Sequence, residues 1–129
     1  MFKKRILIID DEVDFCNLVK KNIEKTGEFD VFIATNGEDG ISLAKDIKPD
    51  LILLDIVMPE MDGGDVVSLI RDDKSIKDTP IVFLTAILRE EEVDSQASFT
   101  KGYSLLAKTV TLGELIACIN KNVRRCAQP

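Results

Sequence analysis

The chain has 129 residues, 45% hydrophobic and 31% charged, which suits one compact domain burying roughly 68% of its unfolded surface and leaves no room for a second. Its 17 Lys and Arg against 23 Asp and Glu give a net charge of −6, so a nucleic-acid backbone meets net repulsion and no direct nucleic-acid binding is expected. With no histidine, the sequence offers no Ser-His or Cys-His pair, no His-liganded zinc and no phosphohistidine, leaving carboxylates, Lys, Thr and Ser for any chemistry.

In chain order, Ile6-Leu7-Ile8-Ile9 is a β-branched apolar run without alternation, the pattern of a strand covered on both faces, and it ends abruptly at Asp10-Asp11-Glu12. It is too short for a signal-peptide core or a membrane span, although Lys3-Lys4-Arg5 precedes it, so no membrane insertion is expected. Phe15, Cys16, Leu18, Val19, Asn22 and Ile23 recur at helical spacing, closing near Gly27. Phe29 to Ala34 reads as a second strand. Asn36-Gly37 then turns the chain into a helix with Ile41, Ala44 and Ile47 on one face, ended by Pro49. Leu51-Ile52-Leu53-Leu54 is a third buried strand running into Asp55.

After Pro59 and Gly63-Gly64, Asp65 to Asp72 carries Val66, Val67, Leu69 and Ile70, which predicts a short third helix. Ile81 to Leu84 forms a fourth strand ending at Thr85. Arg89 to Gly102 has only Val93, Ala97 and Phe99 to bury, so the fourth helix is read as short or mobile. Ser104 to Lys108 is the fifth strand, and Thr111-Leu112-Gly113-Glu114 is a capping box opening a fifth helix with Leu112, Leu115, Ile116, Ile119 and Val123 on one face. The widely spaced Cys16, Cys118 and Cys126 suggest neither disulfides nor a metal knuckle, which makes a reducing, cytoplasmic setting the default.

Five strand-helix alternations imply an α/β domain, a parallel sheet wrapped on both faces, whose ligands sit beyond the carboxyl ends of the strands. At that edge the sequence places Asp10 and Asp11, Asp55, Thr85 and Lys108. Carboxylates about 4 Å apart at an effective dielectric near 20 repel by roughly 4 kcal/mol per pair, so a cation must relieve them. A hard divalent ion such as Mg²⁺, together with Lys108, fits an all-oxygen set. Asp55, alone at the end of the most apolar strand, is placed to attack a phosphoryl group, and Thr85 to hydrogen-bond it afterwards.

Asp10-Asp11, the run Asp55-Ile56-Val57-Met58-Pro59-Glu60-Met61-Asp62-Gly63, Thr85-Ala86 and Lys108 together resemble the receiver domain of bacterial two-component response regulators. The resemblance spans nearly the whole chain. It implies a flavodoxin-like three-layer sandwich with strand order 2-1-3-4-5 and five flanking helices. It also implies that Asp55 accepts a phosphoryl group from a histidine kinase or histidine phosphotransfer protein. Asp10, Asp11, Asp55 and the Val57 backbone carbonyl would hold Mg²⁺, while Thr85 and Lys108 read out the phosphoryl group. The output is then a signalling switch rather than a turnover enzyme, acting through the face of the fourth helix, fifth strand and fifth helix, where a second copy is a candidate partner.

Three departures from the family pattern stand in the sequence, one being Glu90-Glu91-Glu92, which with a weakly apolar fourth helix makes the usual output face unusually acidic. Thr109 follows Lys108 where proline in a cis peptide is usual, and Leu105 occupies the switch position where an aromatic is expected, with Tyr103 out of register for it. They keep open a rival reading, a pseudo-receiver that docks or dimerises without phosphorylation. An aspartate-nucleophile phosphohydrolase ranks lower, because Val57 stands where its general acid belongs. Apolar Val57 and Ile87 are expected to flank the site and exclude hydrolytic water. The domain is read as residues 1–129, with a core of about 4–124 and 125–129 as a tail or the start of a linker.

Overall fold

The unbroken apolar run of the first strand is explained by what covers it on either side. A computed structural model of the chain describes residues 3–86 and 102–123. Within them, β1 (Lys4–Ile9), β2 (Phe29–Ala34), β3 (Leu51–Asp55), β4 (Ile81–Thr85) and β5 (Ser104–Ala107) form one sheet, ordered β2-β1-β3-β4-β5. Every pairing is parallel. The described helices are α1 (Val13–Glu24), α2 (Gly37–Ile47), α3 (Gly63–Asp72) and α4 (Leu112–Asn122), the last being the fifth helix of the sequence reading. This is the flavodoxin-like three-layer sandwich, in strand order 2-1-3-4-5, that the resemblance implies, with four of the five expected helices among the described residues.

Alternate residues of the central strands serve opposite layers. Leu7, Ile9, Ile52, Leu54 and Phe83 pack with Ile41, Ala44, Val66 and Ile70 of α2 and α3. Ile6, Ile8, Leu53, Val82 and Leu84 pack with Cys16, Val19, Ile23, Leu115 and Ile119 of α1 and α4. With both faces dry there is no polar register to alternate with, and Ile6 to Ile9 and Leu51 to Leu54 are fully buried.

Several boundaries differ from the sequence reading for local reasons. β1 begins two residues earlier, at Lys4. α3 begins at Gly63 rather than Asp65, because the Asp62 side chain accepts from Asp65 N–H at 3.0 Å while Asp65 reaches back to Asp62 N–H at 3.3 Å. The periodicity of the apolar residues could not show that reciprocal cap. β5 stops at Ala107, so Lys108 lies in the turn that follows. Leu18 and Leu69, read as parts of apolar stripes, are 59% and 46% exposed. The predicted fourth helix, with Ile87 and Glu90-Glu91-Glu92, lies outside the described residues, as does the tail from 124.

Side-chain caps also open α2 and α4. Asn36 accepts from Asp39 N–H at 2.8 Å to open α2, and Thr111 and Glu114 form the predicted capping box of α4. α2 closes on Lys48, whose φ of 47° is left-handed, a conformation that disfavours a side chain bearing Cβ. Lys48→Gly is therefore expected to raise stability by about 0.5–1 kcal/mol in urea unfolding; an unchanged or lowered midpoint would contradict this account of the cap.

Candidate functional site

The parallel register sets the ends of β1, β3 and β4 side by side, since Ile9 pairs with Leu54, Asp55 with Leu84 and Thr85 with Ala107. Asp10, one residue past β1, is fully buried, Asp55 is 7% exposed and Thr85 4% exposed, while Asp11 faces solvent. Carboxylate oxygens of Asp10, Asp11 and Asp55 all lie within 4.8 Å of one another. The Lys108 backbone N–H donates to Thr85 O at 2.8 Å, which ties the lysine's turn to the end of β4.

Among the described residues, Lys108 is the cation brought to this cluster. Its Nζ lies 2.7 Å from Asp10 Oδ2 and 3.6 Å from Asp55 Oδ2, pairs closely with Glu12, and sits 5.0 Å from the centre of the Phe15 ring. Burial pulls the Lys108 ammonium toward deprotonation, but its contacts with Asp10 and Glu12 and the charge of Asp55 prevail, and its pKa is raised. Asp55 receives the smaller share of that charge. Burial, followed by the charge of Asp10, pushes the Asp55 carboxyl from 3.8 up to about 7, against the opposing pull of Lys108 and a backbone hydrogen bond from Val57.

One ammonium does not satisfy these acids. Asp10 Oδ1 accepts Glu12 N–H at 2.9 Å, and its buried Oδ2 has the Lys108 ammonium, shared with Glu12 and Asp55, at 2.7 Å. Three carboxylates within 4.8 Å of one another, sharing one ammonium among the described residues, form an all-oxygen set that fits a hard cation. The triad could therefore bind a metal.

The approach of the next loop is fixed by Gly63. Its N–H donates to Ile56 O at 2.9 Å, and a Cβ there would stand 3.0 Å from Asp55 O and 3.2 Å from Ile56 Cα. Glycine thus permits the loop after β3 to close against the backbone that aims Asp55. Below the acids, buried Cys16 donates its thiol to Asp10 O at 3.3 Å, and burial, then the charge of Asp10, pushes its pKa up to about 12.

The model of the response regulator receiver domain family matches residues 6–120. The chain belongs to that family. Among curated relatives it is 41% identical over 91 residues to the alkaline phosphatase synthesis transcriptional regulatory protein PhoP of Bacillus subtilis, covering 70% of this chain and 36% of the relative. It is 36% identical over 122 residues to the DNA-binding dual master transcriptional regulator RpaA of Synechocystis, covering 94% of this chain and 49% of the relative. The chain thus spans half or less of the length of these relatives. Chemotaxis protein CheY4 of Vibrio cholerae shares the fold at a TM-score of 0.81 and 23% identity, over 93% of this chain and 98% of that one.

This receiver domain carries the Asp10, Asp11 and Asp55 pocket typical of phospho-accepting response regulators, and receiver domains are signalling modules rather than classical enzymes. Membership implies a cognate histidine kinase as partner. Among the described residues, no helix is long and apolar enough to cross a membrane. The Lys108–Thr109 peptide is trans. Leu105 pairs with Phe83 in the ladder and packs, partly buried, into the layer of α2 and α3. Tyr103 stands edge-on to Phe83 at 5.2 Å, and its hydroxyl accepts from Arg71 Nε at 3.1 Å. Arg71 is itself anchored to the carbonyls of Lys77 and Thr79.

Sequence reasoning missed Glu12, Phe15 and Arg71 as neighbours of functional positions. Glu12 and Phe15 stand one helical turn apart at the start of α1, a spacing that puts both toward the strand ends. Nothing in the sequence pairs Arg71 with Tyr103.

Because the carboxyl of Asp55 loses its proton near pH 7 when folded and near 3.8 otherwise, the metal-free folded protein retains a proton that the unfolded chain has released between those values, and stability falls as pH rises across that window. Asp55→Asn removes this titration. Without divalent ions it is expected to be more stable than wild type by about 1–3 kcal/mol near pH 8, with the advantage fading toward pH 4. Urea unfolding at several pH values checks this, and a pH-independent difference would contradict it.

Proposed function

We propose that Asp55 is the phosphoryl acceptor of this receiver domain and that Asp10, Asp11, Asp55 and the Val57 backbone carbonyl hold Mg²⁺ beside it. The observation that carries the reading is the meeting of three carboxylates within 4.8 Å, two of them buried, beside one ammonium. When bound, Mg²⁺ supplies positive charge to the oxygens of the transferring group and relieves the acids. An Asp55 carboxylate oxygen forms the new bond to phosphorus as the P–N bond of a donor phosphohistidine breaks, its electron pair returning to the imidazole. These 129 residues contain no histidine, so the donor imidazole lies outside them.

Lys108 pairs with the phosphoryl oxygens, and the Thr85 hydroxyl, at the end of the adjacent strand, hydrogen-bonds them. Val57, 68% exposed and two residues past Asp55, keeps hydrolytic water away and lengthens the lifetime of the acyl phosphate. The modified state alters contacts of the face that includes β5 and α4, and the switch works without an aromatic at Leu105. The donor is a histidine kinase or histidine phosphotransfer protein, the setting cytoplasmic. Residues 1–129 act as one receiver domain, and a second copy docks on the face that includes β5 and α4. The transcriptional roles named for the two curated relatives belong to those longer proteins.

The test is intact-mass analysis after treatment with Mg²⁺ and a small phosphodonor. One added phosphoryl group is expected, absent from Asp55→Asn and from samples stripped of divalent ions. An unmodified wild-type chain that still binds its partners would instead establish the rival, phosphorylation-independent docking module.

A further inference from the structure

Glu12 occupies the N-cap position of α1, where a side-chain oxygen ordinarily turns back onto the first free N–H groups of the helix. Its side chain makes no such bond. The first turn is closed by backbone alone, Cys16 N–H donating to Glu12 O at 3.0 Å. The carboxylate crosses instead to Lys108, 96 positions away in the chain, and forms a close pair with its Nζ. Phe15, one turn further along α1, presents its ring 5.0 Å from the same Nζ. The opening of α1 therefore grips Lys108 from two sides, while Asp55 stands 3.6 Å away.

The grip is asymmetric in a way that matters for a moving charge. Lys108 is 10% exposed, whereas Glu12 is 60% exposed, so water can solvate the carboxylate when the ammonium leaves it. Asp10, fully buried, has no such alternative. If a cation fills the acidic triad, it takes over the charge of Asp10, and Glu12 becomes the principal rival of Asp55 for the lysine.

We propose that Glu12 is a positioning residue that holds the Lys108 ammonium in the unmodified state, competes for it with the phosphoryl group on Asp55, and so sets how readily the site takes up and retains that group. The proposal rests on Asp55 being the acceptor. It assigns to the N-cap residue of α1 a tuning role exercised through Lys108 rather than through the metal or the phosphoryl group.

Beryllofluoride with Mg²⁺, titrated into the 129-residue chain and followed by fluorine NMR, tests the competition. Glu12→Gln is expected to bind about two- to fivefold more tightly, the factor that corresponds to an ion pair exposed on one side. Glu12→Ser should do the same while adding a favourable helix cap, so that folding is preserved. In a Lys108→Met background the gain from Glu12→Gln should disappear, because the effect passes through the lysine. Without metal or donor, a double-mutant cycle on urea unfolding should show positions 12 and 108 coupled.

Affinity unchanged or weakened in both Glu12 variants, the same gain with and without Lys108, or no coupling in the metal-free cycle would each overturn the proposal. Wild-type protein that binds no beryllofluoride, or Asp55→Asn that binds it equally well, would overturn the acceptor assignment on which it rests.

Discussion

The structure depends on a shortage of positive charge at one edge of its sheet. Parallel pairing of β1, β3 and β4 brings Asp10 and Asp55 together whether or not their charges agree, because the register is fixed by the apolar residues behind them. Burying like charges side by side opposes folding, and the hydrophobic burial of two full layers is what tolerates it. Lys108 answers part of the demand. The remainder appears as an Asp55 carboxyl that releases its proton only near neutrality.

That deficit is also the functional capacity of the domain. A site whose acids were fully paired within the chain would have little to gain from a divalent ion or from a group that draws the lysine toward it. Sharing one ammonium unequally among Asp10, Glu12 and Asp55 leaves a charge that can be redistributed with small movements of side chains. The backbone supports this by holding still: Gly63 lets the loop after β3 lie directly against Asp55, and Lys108 N–H is fastened to Thr85 O.

Much of this was legible in the sequence, for physical reasons. Strands buried on both faces have nowhere to put a polar residue except at their ends, so the acids after Ile9 and Leu54 and the threonine after Leu84 announced both the strand limits and the site edge. The capping box at Thr111 was equally plain, since its residue types and spacing are the signal. Leu18 and Leu69 misled because helical periodicity reports which side of a helix is apolar on average, while burial depends on how far the neighbouring layer reaches. The partnership of Glu12 with Lys108 was hidden by the 96 positions between them, which only the folded sheet brings together. Glu12 read as one more acid at a strand end, and its missing cap could be seen only in the geometry.

Cys16 shows how the same electrostatics governs chemistry of another kind. Its sulfur lies directly beneath the carboxylates, hydrogen-bonded to the backbone of Asp10, and its pKa near 12 leaves almost no thiolate at neutral pH. Oxidants and alkylating agents attack the thiolate form. Burial first, and the charge of Asp10 second, therefore shield this thiol, keeping the floor of the site in its less reactive protonated form at neutral pH.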